Sequence, residues 1–147
     1  MKTPNIIVGI DGSPASRAAL QWATNVAAGM HATVSAVAVE RRTSAFLPAT
    51  SMALLPHGTV PERSEVTRAE RLHAVVAETG GQDVAEYLLT GDPARELTRM
   101  AGPDDMIVVG AHGALTPVSA MLGSVTSACL RHAHCPDAHR SVLRTVR

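Results

Sequence analysis

The chain has 147 residues, of which 46% are hydrophobic and only 2% aromatic. This size and composition suit one folded domain with a core of small aliphatic side chains, and they exclude a disordered chain. Lys plus Arg and Asp plus Glu number 13 each, so no net positive field favours nucleic acid or a membrane surface. The few aromatic residues also exclude a base-stacking platform for single-stranded nucleic acid.

The compartment is predicted from the cysteines and from the apolar runs. No apolar run approaches the length of a membrane span, and Met1-Lys2-Thr3-Pro4 leads into a strand pattern rather than a signal peptide. Cys129 and Cys135 do not form a disulfide framework. We therefore expect a cytoplasmic protein.

The first predicted elements are a strand and a helix. The apolar residues 6–10 predict a buried strand. After it, Ser13 suits a helix N-cap and Pro14 the first helical position. The helix is predicted to reach about Ala28 and to stop at Gly29. Its buried face is predicted to carry Ala15, Ala19, Trp22 and Val26.

The middle of the chain predicts a strand, a long loop and a helix. Residues 33–39 form the second strand pattern, and residues 40–61 contain three prolines and no clear period, which predicts a loop. A helix is predicted at 62–79, ending at Gly80-Gly81. Its buried stripe is predicted to be Val66, Ala69, Leu72 and Val76.

The C-terminal half continues the alternation of strands and helices. Strands are predicted at 84–89 and 106–109. One helix is predicted to begin at Pro93, with Asp92 as its N-cap, and to end near Gly102-Pro103, and another covers 124–132. Alternating strands and helices predict an open parallel sheet with helices on both faces and ligands at the carboxyl ends of the strands.

The loop after the fourth strand has a phosphate-binding pattern. It reads Gly110-Ala111-His112-Gly113, then nine residues, then Gly123-Ser124-Val125-Thr126. Glycines can adopt positive φ and allow close approach of a ligand to the backbone. A helix N-terminus with the hydroxyls of Ser124 and Thr126 adds donors for an anion. A simple turn is the alternative interpretation of Gly110 and Gly113.

Other motifs accompany this loop and together resemble the universal stress protein family over almost the whole chain. The motifs are Val8-Gly9-Ile10-Asp11-Gly12-Ser13, Gly91-Asp92-Pro93, Asp105-Met106-Ile107-Val108-Val109-Gly110 and Cys135-Pro136. The gapless Gly-x-x-Gly, nine residues, Gly-Ser pattern resembles the single-domain, ATP-binding branch. We expect one domain over residues 1–147.

This resemblance implies a flavodoxin-like or Rossmann-like α/β fold, similar to the adenine nucleotide alpha hydrolases. It implies that Asp11 and Ile10 lie near ribose and adenine, and that Val37 and Val109 contact the base. The implied triphosphate ligands run from Gly110 to Thr126, usually with Mg²⁺ or Mn²⁺. The implied nucleotide-binding set is Ile10, Asp11, Ser13, Val37, Val109, Gly110, Gly113, Gly123, Ser124, Val125 and Thr126.

Two of these loop and strand-end residues have alternative interpretations. Asp11 suits a ribose contact at a strand end, but it also suits a cap of the first helix. His112 stands where the family often has a basic residue, close to the expected phosphates, and an exposed histidine without a role is the alternative.

The implied function is that of a nucleotide-dependent stress-response and regulatory binding protein. No lysine stands near the glycine loop, so we expect at most weak ATP hydrolysis and no catalytic residue. A slow ATPase is one alternative. Another is an interaction protein whose site is vestigial or takes a different adenylate such as cyclic AMP.

The tail, residues 137–147, departs from the family pattern. Polar and charged residues stand where the family has an apolar fifth strand, and Val142, Leu143 and Val146 predict a weaker or shifted edge strand. Family dimers often pair through that strand, so we expect a homodimer with an altered interface. A cluster of possible metal ligands lies close by, namely His132, His134, Cys135, Asp137 and His139. Its spacing follows no standard metal-binding pattern, so we expect no metal site there.

Overall fold

The structure is a computed structural model that describes residues 2–41, 65–79, 83–111, 123–132 and 143–146. In these ranges the strands are β1 (Asn5–Gly9), β2 (Thr33–Glu40), β3 (Val84–Thr90), β4 (Met106–Gly110) and β5 (Leu143–Val146). The helices are α1 (Pro14–Met30), α2 (Glu65–Glu78), α3 (Pro93–Met100) and α4 (Ser124–His132).

The strands form one five-stranded sheet in the order β3-β2-β1-β4-β5. All the pairings are parallel, and Ile7 of β1 lies between Ser35 of β2 and Ile107 of β4. The reversal of strand order at β1 places β2 on one side of it and β4 on the other. The predicted open parallel α/β sheet is therefore confirmed.

Each face of the sheet carries its own hydrophobic core because successive side chains of a strand point to opposite faces. Ile6 and Val8 of β1 pack with residues of α1 and α2. Ile7 packs on the other face with Leu97 of α3 and Cys129 of α4. The helices thus cover both faces, as the alternation of elements predicted.

The start of α1 agrees with the sequence, its end does not, and its predicted buried face agrees in part, since Trp22 and Val26 pack against the core that contains Ala19. The helix continues through Gly29 to Met30, and His31 closes it in the left-handed conformation with a φ of 50°. The prediction that Gly29 stops the helix is wrong, because His31 adopts the left-handed conformation that terminates helices. The fully buried face is Ser16, Ala19, Leu20, Ala23 and Ala27, whereas Ala15, Trp22 and Val26 are only partly buried.

The predicted stripe of α2 is wrong in its first half. Leu72 and Val76 are buried as expected, together with Val75. Val66 is 65% exposed and Ala69 is also exposed. These two residues line a hollow beside the end of β3 instead of packing into the core.

Several predicted segments lie outside the described residues, namely the bulk of the 40–61 loop, the glycines at 80–81 and the polar tail from 137 to 142. Strand β5 occupies part of the predicted weak edge strand and pairs with β4. Among the described helices, none is long and apolar enough to cross a membrane.

Candidate functional site

A cleft of about 460 Å³ opens where β1, β2 and β4 end. This volume is in the range of small-molecule sites. It is lined by every predicted nucleotide-binding residue in the described ranges: Ile10, Asp11, Ser13, Val37, Val109, Gly110, Gly123, Ser124, Val125 and Thr126. Gly113 and His112 lie outside those ranges. The structure thus brings these residues together, while their role as nucleotide ligands stays a prediction.

The N-terminus of α1 is capped by its own side chains. The Ser13 hydroxyl accepts a hydrogen bond from the Ser16 N–H at 3.1 Å, and Asp11 Oδ1 accepts one from the Ser13 N–H at 2.9 Å. Pro14 has no N–H to offer. Ser13 is therefore the N-cap, as predicted, and Asp11 supports the turn before it while also lining the cleft.

The N-terminus of α3 is closed in the same way. Asp92 Oδ1 accepts a hydrogen bond from the Arg95 N–H at 3.0 Å, and Pro93 occupies the first helical position. The predicted cap is confirmed. The side-chain carboxylate of Asp92 also makes this helix end unfavourable for a further anion.

The N-terminus of α4 has a different arrangement. Gly123 precedes the helix and has no side chain to cap it, and its N–H donates to the Ala111 carbonyl at 2.8 Å. The first N–H that closes the helix is that of Ser127, which donates to the Gly123 carbonyl at 2.9 Å. The N–H groups of Ser124, Val125 and Thr126 precede it and lack intrahelical acceptors. These three residues line the cleft, which makes this helix end suitable for an anion.

Thr126 makes a structural contact that the sequence did not predict. Its hydroxyl is buried and donates to the Gly110 carbonyl at 2.8 Å. This hydrogen bond joins the start of α4 to the end of β4, while the role of the hydroxyl as a donor to a ligand stays a prediction. Ser124 is exposed, so its hydroxyl can reach the cleft.

Gly110 is required by packing rather than by its φ angle. Its backbone lies outside the left-handed region, so the capacity of glycine for positive φ is not used here. A Cβ added here would come within 2.8 Å of the Ala15 Cβ and 2.9 Å of the Ala15 carbonyl carbon. The absence of a side chain thus lets the first turn of α1 rest against the end of β4.

One wall of the cleft is apolar. Val37 of β2 and Val109 of β4 are buried in this wall, and Val39 and Leu97, which were not predicted from the sequence, complete it. Cys129 packs beneath this wall, where burial, followed by the nearby Asp92 carboxylate, raises the pKa of its thiol to about 11. The thiol is therefore neutral and unreactive near pH 7.

Three further residues line the cleft without having been predicted from the sequence, namely Ser16, Pro93 and Arg41. Ser16 and Pro93 belong to the first turns of α1 and α3, which the topology aims at the cleft. Arg41 follows β2 two residues after Val39, and period-two alternation from Val37 is the signal that could have identified it.

The fold and the cleft define a flavodoxin-like or Rossmann-like α/β protein with a ligand-sized cavity at the carboxyl edge of its sheet. Comparison with known proteins identifies the family. The model of the universal stress protein family matches residues 2–138. The chain belongs to this family.

Individual relatives agree with this assignment. A universal stress protein of Methanocaldococcus jannaschii is 31% identical over 89% of this chain and 78% of its own length. One from Mycobacterium tuberculosis is 29% identical over 90% of this chain and 46% of its own length. The chain therefore spans about half the length of the mycobacterial relatives it matches.

Solved structures support the same fold. The universal stress protein UspA from Lactobacillus plantarum is 27% identical, with a TM-score of 0.67 over 100% of this chain and 99% of that one. A universal stress protein in complex with cAMP is 19% identical, with a TM-score of 0.57 over 99% and 98% of the two chains.

Proposed function

We propose that this universal stress protein binds ATP in the cleft and acts as a nucleotide-dependent regulatory binding protein. The triphosphate would lie at the N-terminus of α4 and the adenine against the end of β2. The observation that carries the proposal is the contrast between helix ends. Three helix N-termini reach the cleft in the described residues. Those of α1 and α3 are capped by the side chain of the residue before the helix, whereas α4 is preceded by Gly123, which has no side chain.

Helix electrostatics support the placement of the phosphates. Aligned peptide dipoles give a helix N-terminus a partial positive charge, and unpaired N–H groups there bind anions directly. Asp11 lies two residues before Ser13, the N-cap of α1, and its negative charge disfavours phosphate at this helix end. The end of α4 offers three N–H groups and carries no carboxylate among residues 123–126.

The dimensions of the cleft support the placement of the base. Strands β4 and β2 are separated by β1, and adjacent strands lie about 4.8 Å apart, so their ends are roughly 10 Å apart. A ligand with phosphates at α4 thus extends its other end toward Val37 and Val39. These apolar side chains suit the face of a purine ring.

A divalent ion in this proposal depends chiefly on the nucleotide. No group of three or more His, Cys, Asp or Glu side chains within the described ranges is arranged to hold a metal. Mg²⁺ binds oxygen ligands and commonly takes substrate phosphates together with one or two carboxylates. Asp11 is the carboxylate that lines the described part of the cleft.

Slow hydrolysis and a different adenylate are the alternatives to ATP binding alone. Lys2, the sole lysine of the chain, lies 3.7 Å from Asp105, which directly precedes β4 at the amino edge of the sheet. It therefore cannot act as a phosphate-loop lysine. The family member bound to cAMP makes a cyclic nucleotide the second candidate ligand.

The test combines ligand identification with titration. Mass spectrometry of small molecules released from freshly purified protein identifies any adenylate that copurifies with it. Calorimetric titration with ATP, cAMP and adenosine, with and without Mg²⁺, ranks the candidates, and phosphate release measures hydrolysis. We expect ATP to bind most tightly with little hydrolysis. If neither ATP nor cAMP binds, the proposed function is wrong.

We also propose a homodimer in which the fifth-strand contact is weakened. Strand β5 lies at the edge of the sheet, and charged residues at such an edge oppose pairing between subunits. The charged and polar residues before it lie outside the described ranges. Substituting Val for Asp137, His139 and Arg140 should strengthen self-association in sedimentation at several concentrations. Equally tight association of the unaltered protein would contradict this proposal.

A further inference from the structure

Arg41 occupies a defined position at the base end of the cleft. It follows β2 directly, and it lines the cleft together with Val37 and Val39. These residues are two positions apart, so their side chains leave the same face of the strand. The intervening Glu40 points to the other face, where it forms an ion pair with Arg68 of α2.

No ion pair in the described part of the chain holds this guanidinium in place. The arginines that form such pairs there are Arg17, Arg68 and Arg99. Arg41 is exposed, and it is the cation that lines the described part of the cleft. Its head group is therefore available to a ligand.

The position of Arg41 favours contact with the base over contact with the terminal phosphates. It extends the β2 end of the cleft, which two interstrand spacings separate from the helix end at α4. No aromatic side chain lines the described part of the cleft to stack on a purine. A guanidinium is planar and stacks on aromatic faces, which an ammonium group does not do.

We propose that Arg41 is a further binding residue that lays its guanidinium plane against the purine ring and holds it over Val37 and Val39. This inference rests on the proposed function, since it assumes that an adenine nucleotide occupies the cleft. The binding free energy that Arg41 contributes comes from its contact with the base, so it is the same for ligands with or without phosphates.

The test is calorimetric titration of wild-type protein and two Arg41 variants with adenosine, AMP and ATP, at low and high salt. Arg41→Met should weaken the binding of all three ligands by the same factor, about three- to tenfold. Arg41→Lys should not restore binding. Arg71 on α2 is exposed and does not line the cleft, so Arg71→Met is the control with the same change of charge and should bind normally.

The other outcomes separate this inference from the proposed function. The loss of affinity in Arg41→Met could instead grow with the number of phosphates, disappear at high salt and be absent from Arg41→Lys. That result would show a charge effect and overturn the stacking. Normal binding by Arg41→Met would overturn the inference alone. If the wild-type protein binds none of the ligands, both proposals are wrong. Because Arg41 is exposed, an unchanged melting temperature should show that each variant is folded.

Discussion

Replacement of Gly110 by alanine should destabilise the protein through a clash between β4 and α1. The added Cβ would come within 2.8 Å of the Ala15 Cβ, 2.9 Å of its carbonyl carbon and 3.0 Å of the Ser16 nitrogen. Two of these three neighbours are backbone atoms, which cannot rotate away. Forcing such an atom into a packed region costs about 1–3 kcal/mol. For a domain of this size, the melting temperature should fall by roughly 2–12 °C.

Thermal unfolding followed by circular dichroism measures this effect, and Gly29→Ala is the matched control. A Cβ at Gly29 meets no atom within 4 Å, and this glycine is helical, so alanine there should stabilise by about 0.5–1 kcal/mol. Ala15→Gly should not rescue Gly110→Ala, because the backbone contacts remain. An unchanged melting temperature of Gly110→Ala would refute the reasoning that packing requires this glycine.

Three more predictions concern the cleft and the core. Gly123→Val should weaken ATP binding about tenfold, or ~1.4 kcal/mol, in calorimetric titration, because its side chain would crowd the phosphates. Unchanged affinity of the folded variant would refute the placement of the phosphates at α4. Asp11→Ala should weaken ATP binding by about 1–2 kcal/mol, whereas a lower melting temperature with normal affinity would leave it only a structural role beside Ser13. The raised pKa of Cys129 means that ionisation favours the unfolded state. Its contribution to stability is therefore fully present below pH 9 and is lost as the pH rises toward 11. Chemical denaturation of Cys129→Ala and wild type across that range should show a steeper loss in wild type.

Local sequence chemistry predicted the helix starts because caps depend on residues close together in the chain. Ser13 with Pro14 and Asp92 with Pro93 both form the expected caps. The end of α1 was not predictable in this way, since His31 adopts a left-handed conformation that few non-glycine residues take.

The predicted site residues lie around one cleft because parallel strands end at one edge of the sheet. The sequence could not show which groups at this edge already form hydrogen bonds or packing contacts within the protein. The Thr126 hydroxyl is bonded to Gly110, and Gly110 itself is fixed by contact with Ala15. Both facts depend on the packing of α1 and α4 against β4. Contacts between residues so far apart in the chain cannot be read from the sequence. Arg41 was missed because the cleft wall continues past the end of its strand.

The two hydrogen bonds that join Ala111 to Gly123 and Gly110 to Thr126 have an evolutionary consequence. They hold the ends of the segment at 112–122 together independently of the residues within it. The entropic cost of closing a loop rises only slowly with its length. Insertions and deletions in this segment should therefore be inherited with little loss of stability. Related proteins can thus diverge in what they bind next to α4 while they retain the same framework.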